Sequence, residues 1–217
     1  MIIEALKFSN LYKMKRIVWF KIALSLSFIF SLLATWKLWI SSRIYPLTPV
    51  FDFLKPFPFP FDHLLLVLLI FFLIAIILSS KPVKYIIALL IAVGILGLQD
   101  QSRWYPSFFE YFFLFLLLAS YKWRTETNDD DRLLNVCRFI IASTYFWSGL
   151  QKMNDGFAEE TFTRLIQFFP WSVPLKLRFF LGWLAPFLEM GIGIGLLSKR
   201  IRQISLRAAL VMHFLIA

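Results

Sequence analysis

Seven mainly apolar stretches follow one another along the chain, each parted from the next by a polar, charged or proline-rich segment. A bilayer's hydrocarbon core is about 30 Å thick, so a helix crosses it with about 17–25 mainly apolar residues. By that measure the pattern predicts spans over about 17–40, 64–78, 83–98, 107–121, 133–152, 177–197 and 204–217. The expected fold class is therefore all-α, a polytopic transmembrane helix bundle of about seven spans forming a single transmembrane domain, 1–217. Lys21 and Lys37 stand near the two ends of the first stretch, where long side chains reach out to the interface. The last stretch stops at Ala217 with no polar flank, which reads as truncation at the C-terminus. Between the first two spans the Phe-Pro alternation of Phe57–Phe61 excludes helix, because each proline lacks a donor and disfavours αR at the residue before it. Its aromatic rings suit a flat lid in the interface, and Trp104 and Trp171 suit the same aromatic belt.

Composition strengthens this picture. Hydrophobic residues make up 59% of the chain, against about 45–50% in ordinary soluble domains. The formal charge of +10 would suggest nucleic acid in a soluble protein, but no basic stripe runs along an exposed polar face. Nucleic acid is excluded as a partner, and the lipid bilayer takes its place. Lysine and arginine are denser in Lys7–Arg16, Lys81–Lys84, Lys122–Arg132 and Lys199–Arg202 than in the alternate segments that include Arg43 and Lys55, which predicts a cytoplasmic N-terminus. The turn at Asp100–Pro106 and the turn at Lys152–Phe157 then share the outer face. The acidic run Asn128–Asp131 reads as a solvated cytoplasmic loop. A single cysteine, Cys137, excludes an internal disulfide and any Cys-x-x-Cys pair. His63 and His213 have no ligand cluster near them in sequence, so no metal site is expected.

Ionisable groups at membrane depth are costly and normally face protein or a watery cavity. At 100° per residue, Arg138, Tyr145, Gly149 and Lys152 fall within one narrow arc of the fifth span. Arg138 and Lys152 are about 21 Å apart along its axis, too far for one site. Two fates are open to Glu189 on the sixth span: a structural ion pair with Arg138, or protonation with a hydrogen bond elsewhere. Gly191 and Gly195 form a GxxxG face that would bring a neighbouring helix near it. Two readings are also open for Lys152. It is either a snorkelling anchor at a helix end, or an amine partly desolvated so that it serves as a base or anion ligand. In the second reading, Asn154 begins the turn that stops the helix beside it. Tyr145, Asp100, Arg103 and Trp104 would then help line an outward pocket.

The stretch "YFWSGLQKMNDGF" resembles the Tyr-Phe-x-(small)-Gly-Leu-x-Lys motif of vitamin K-dependent gamma-carboxylase and the horizontally transferred transmembrane (HTTM) domain proteins. "LQDQSRWYPSFFEYFFL" resembles that family's acidic turn, tryptophan and following helix. That resemblance implies Lys152 as a catalytic base acting on a quinol of the vitamin K kind or another lipid-soluble small molecule. Trp104 is followed by Tyr105-Pro106-Ser107 where the carboxylase has Asn-His, which sets carboxylation itself apart. A lysine after Ser-Gly-Leu at a helix end, together with "LAPFLEMGIGIGLL", is similar to DoxX/MauE-like membrane proteins. This second resemblance implies a non-catalytic accessory subunit that assists a membrane or outer-face protein partner in redox or thiol chemistry. Either resemblance places the chain as a multi-pass protein of the bacterial inner membrane.

Overall fold

In the computed structural model, residues 2–41, 46–54, 57–123, 129–166 and 174–216 are described, with side chains described from Arg16 onward except at 129, 215 and 216. Arg43, Lys55, Asn128 and Trp171 lie outside the described residues. The described chain is helical: α1 (Ile2–Ala34), α2 (Trp36–Trp39), α3 (Phe61–Leu78), α4 (Val83–Gln99), α5 (Pro106–Ser120), α6 (Asp129–Gln151), α7 (Phe162–Ile166), α8 (Leu175–Leu197) and α9 (Arg202–Ile216). Four of these contain a segment long and apolar enough to cross a bilayer: Arg16–Ala34, Phe61–Leu78, Asp130–Gln151 and Leu175–Leu197. α4 and α5 are shorter apolar helices. Large apolar side chains such as Phe30, Phe71, Ile91, Phe113, Trp147, Phe187 and Leu210 remain exposed on their faces. Water would not tolerate so much of this surface. Backbone groups paired within each helix and apolar outer faces are what a hydrocarbon solvent demands. The protein is a polytopic helical membrane protein.

Internal contacts gather the chain into two compact units, 1–135 and 136–217, with α6 running from one into the other. In the first, α3 packs on α4, α4 on α5, and α1 on both α3 and α5. Its interior is apolar and aromatic, with Phe28, Leu32, Trp39, Leu69, Leu73, Leu89, Phe115 and Leu118 all at most 1% exposed. The first apolar stretch does not run unbroken to residue 40. Thr35 donates from Oγ1 to the Ser31 carbonyl at 2.7 Å and accepts from Trp39 Nε1 at 3.1 Å. Such back-bonding by threonine competes with the helix ladder, and α1 ends at Ala34 before the single turn of α2.

Two sequence readings need correction within this unit. Lys21 does not reach for the interface: it is 3% exposed, donates from Nζ to the Ser79 carbonyl at 2.7 Å and lies over the Trp123 ring. A cation at the C-terminus of α3 meets the negative end of that helix dipole. The acidic run is also not a loop. Asp129–Asp131 form the first turn of α6, where carboxylates suit the positive end of the dipole. There Asp131 pairs with Arg16 at 3.1 Å, and Tyr121 donates its hydroxyl to Asp130.

Candidate functional site

The second unit is organised by glycines that let backbones approach. A Cβ placed on Gly149 of α6 would lie 2.6 Å from the Pro186 carbonyl oxygen and 2.9 Å from the Met190 nitrogen. One placed on Gly193 of α8 would lie 2.6 Å from the Ala142 oxygen and 2.9 Å from the Phe146 nitrogen. These two contacts fix an antiparallel register in which Gly149 lies level with residues 186–190, and residues 142–146 lie level with Gly193. The close-approach face is therefore not the GxxxG pair read from the sequence. Gly191 has open space around it, while Gly195 packs against Ser205 of α9.

That register decides the partner of Glu189. Lys152 Nζ donates to Glu189 Oε1 at 2.9 Å and to Oε2 at 2.6 Å, and it lies 5.9 Å from the Phe157 ring centroid. The expected Arg138–Glu189 ion pair is thus corrected to Lys152–Glu189. In the register set by the glycines, Arg138 faces the far end of α8, about ten residues or roughly 15 Å from Glu189. No arginine side chain spans that distance. The carboxylate is 10% exposed and the lysine side chain 36%, so the pair has a buried carboxylate and a more exposed ammonium.

The turn after Lys152 is built around one side chain. Asn154 donates from Nδ2 to the Gln151 carbonyl at 2.9 Å, closing the end of α6. Its Oδ1 accepts from Phe157 N at 2.8 Å and its own carbonyl accepts from Ala158 N at 3.2 Å, opening the next helical segment. That segment begins with a π turn over Phe157–Thr161 and continues as α7. Its Ala158 backbone sits where a Cβ on Gly182 would fall, at 2.8 Å. Asn154 is therefore a C-cap and an N-cap at once, and it holds α6 and the following segment at the level of the ion pair. Asn154→Ala is expected to cost about 1–2 kcal/mol, the scale of a lost cap. Thermal unfolding would read that loss. Faster amide exchange confined to residues 152–160 would place it at the turn, and unchanged exchange there would refute the double-cap role.

Tyr145, on the same arc as Lys152, hydrogen bonds through its hydroxyl to His213 Nε2 at 2.7 Å. Its ring packs beside the buried group Ala142, Ile192, Leu196 and Ala209. His213 carried no signal in the sequence beyond being a polar residue in an apolar helix, because its partner is 68 positions away. Asp100 and Arg103 belong to the first unit, and both are engaged inside it. The Asp100 side chain is fully buried and accepts from Thr48 Oγ1 at 3.1 Å and Ser102 Oγ at 2.9 Å. Arg103 donates to the Leu38 carbonyl at 3.0 Å and the Leu96 carbonyl at 2.6 Å, with Asp100 Oδ2 3.7 Å from its Nε. Together they fasten the segment 46–49 and the ends of α2 and α4. Trp104, next to them, keeps 42% of its surface exposed.

The family model of methylamine utilisation protein MauE matches residues 130–217. No curated protein and no solved structure matches the chain. The matched stretch and the second compact unit, 136–217, nearly coincide. Of the two resemblances read from the sequence, this similarity supports the DoxX/MauE-like one and gives no support to the carboxylase-like one.

Proposed function

We propose that the protein is a non-catalytic accessory subunit of a membrane redox system, a multi-pass component of the bacterial inner membrane with its N-terminus cytoplasmic. The observation that carries this reading is the MauE similarity over 130–217, the stretch that packs as its own unit. Two chemical features agree with it. The Lys152 amine, the one group the sequence offers as a base, is engaged in holding Glu189 through both carboxylate oxygens. The one cysteine, Cys137, is buried, so dithiol exchange belongs to a partner and not to this chain. The role left to Lys152, Glu189 and Asn154 is to keep the second unit in the shape that its partner recognises.

The test is deletion of the gene in its host, followed by differential alkylation of membrane and exported proteins. Loss of the subunit is expected to shift the thiol redox state of a defined protein set. Both the wild-type chain and Lys152→Arg should restore it, since arginine keeps the ion pair. An unchanged redox state would overturn the reading. So would a well-inserted Lys152→Arg chain that fails to restore it, because that outcome requires a titratable amine.

A further inference from the structure

Glu110 stands on α5 four residues in from Pro106, about 6 Å along the axis, among the rings of "PSFFEYFFLF". It is half-buried. Among the described residues no cation lies within ion-pairing distance of it and no hydrogen bond reaches it, whereas the buried charges Lys21, Asp100, Arg103 and Glu189 are all held. The chain neighbour of Glu110, Tyr111, stands on the seam between α5 and α1, stacked on Phe28. Along that seam Tyr111 shares a hydrogen bond with Ser27 at 2.6 Å, and the Tyr105 hydroxyl lies 3.5 Å from Ser31 Oγ. The hydroxyls are thus paired with one another, and the carboxylate beside them is the group left over. An ionisable residue inside a span normally pairs with another one. The complement that Glu110 lacks is positive.

We propose that Glu110 is the docking point for a lysine or arginine carried on a transmembrane helix of a partner protein. The helix would lie along the α1–α5 seam with its cation level with Glu110. This deepens the accessory-subunit reading and rests on it, since an accessory subunit needs a surface that recognises its partner inside the bilayer. The recognition is electrostatic and set by depth: in hydrocarbon a cation and a carboxylate meet only at matching levels, and apolar helix faces alone discriminate poorly.

The probe is a synthetic leucine–alanine transmembrane peptide carrying one lysine at the depth of Glu110. Its counterparts carry norleucine there, or the lysine two turns deeper. Energy transfer between donor-labelled full-length protein and acceptor-labelled peptide is measured in phosphatidylcholine vesicles. The matched lysine peptide should associate about fivefold to tenfold more tightly than either counterpart, and Glu110→Gln should abolish the preference without altering helicity. Glu110→Lys should transfer the preference to a peptide with aspartate at that depth. Equal association of all three peptides, or a preference that survives Glu110→Gln, overturns the proposal. Self-association of the wild-type chain that Glu110→Gln removes would also overturn it, by assigning the carboxylate to a second copy. In the gene-deletion host, a Glu110→Gln chain that restores the redox state in full would refute the docking role and leave the accessory function standing.

Discussion

Lys152→Leu is expected to destabilise the second unit by about 3 kcal/mol, and Glu189→Leu by only about 1 kcal/mol, although both break the same ion pair. The asymmetry comes from what each substitution leaves behind. Without Lys152, a carboxylate 10% exposed remains between α6 and α8 with no cation. It must then hold an uncompensated charge or take up a proton. Without Glu189, the amine that remains belongs to a side chain 36% exposed at a helix end. A lysine so placed can turn its stem and carry its head to the interface. Lys152→Arg should keep most of the stability, because a guanidinium also serves both carboxylate oxygens. The measurement is unfolding of the full chain in detergent micelles by heat or by titration with sodium dodecyl sulfate. In the double variant the loss should stay close to that of Glu189→Leu alone, well below the sum of the two. Additive losses would show that the residues are not coupled. A larger loss for Glu189→Leu than for Lys152→Leu would contradict the burial argument.

The helices were legible because hydrocarbon imposes one rule on all of them. Apolar runs at 64–78, 83–98, 107–121 and 177–197 reappear as α3, α4, α5 and α8, each boundary moved by at most three residues. Where the boundaries moved most, polar residues had joined a helix. Residues 2–16 extend α1 ahead of the first apolar run, Asp62 and His63 extend α3 towards its start, and Asp129–Asp131 extend α6. A hydropathy pattern registers transfer out of water and is blind to the dipole and capping terms that favour acids in a first turn. The polar seam of α6 was also legible, since Tyr145, Gly149 and Lys152 do share a face that meets α8 and α9. Its pairing was not. Deriving the Glu189 partner needed the register of α8 against α6, which depends on where glycines let two backbones close up. The pattern Gly191-x-x-x-Gly195 suggested one such place, and Gly149 with Gly193 turned out to be the other. Spacing within a helix says which residues share a face, but not which neighbouring helix that face meets. The distant partner of Asp100 was hidden for a related reason: Thr48 is 52 positions away in a proline-rich connection, unlike the local Ser102.

Gly149→Ala and Gly193→Ala are expected to cost about 2–3 kcal/mol each, as overpacking of a close helix contact does. The added methyl at either position meets backbone atoms within 3 Å, with Met190 Cγ also at 2.7 Å from the Gly149 position, so a side-chain rotamer change alone does not relieve it. At Gly149 the Cβ would have to retreat from 2.6 Å to the 3.4 Å of ordinary contact with the Pro186 oxygen, a shift of about 0.8 Å between α6 and α8. A displacement of that size one turn from Lys152 also strains its two short bonds to Glu189, so Gly149→Ala and Lys152→Leu should be less than additive. Gly191→Ala and Gly94→Ala supply the contrast, because a Cβ at either position meets nothing within 4 Å. There alanine should be neutral or stabilising by up to about 1 kcal/mol, its advantage over glycine in a helix interior. Detergent unfolding of the four single variants orders them directly. Should Gly191→Ala prove as damaging as Gly193→Ala, the register assigned to α6 and α8 would be wrong, and the Lys152–Glu189 pair that depends on it would fall with it.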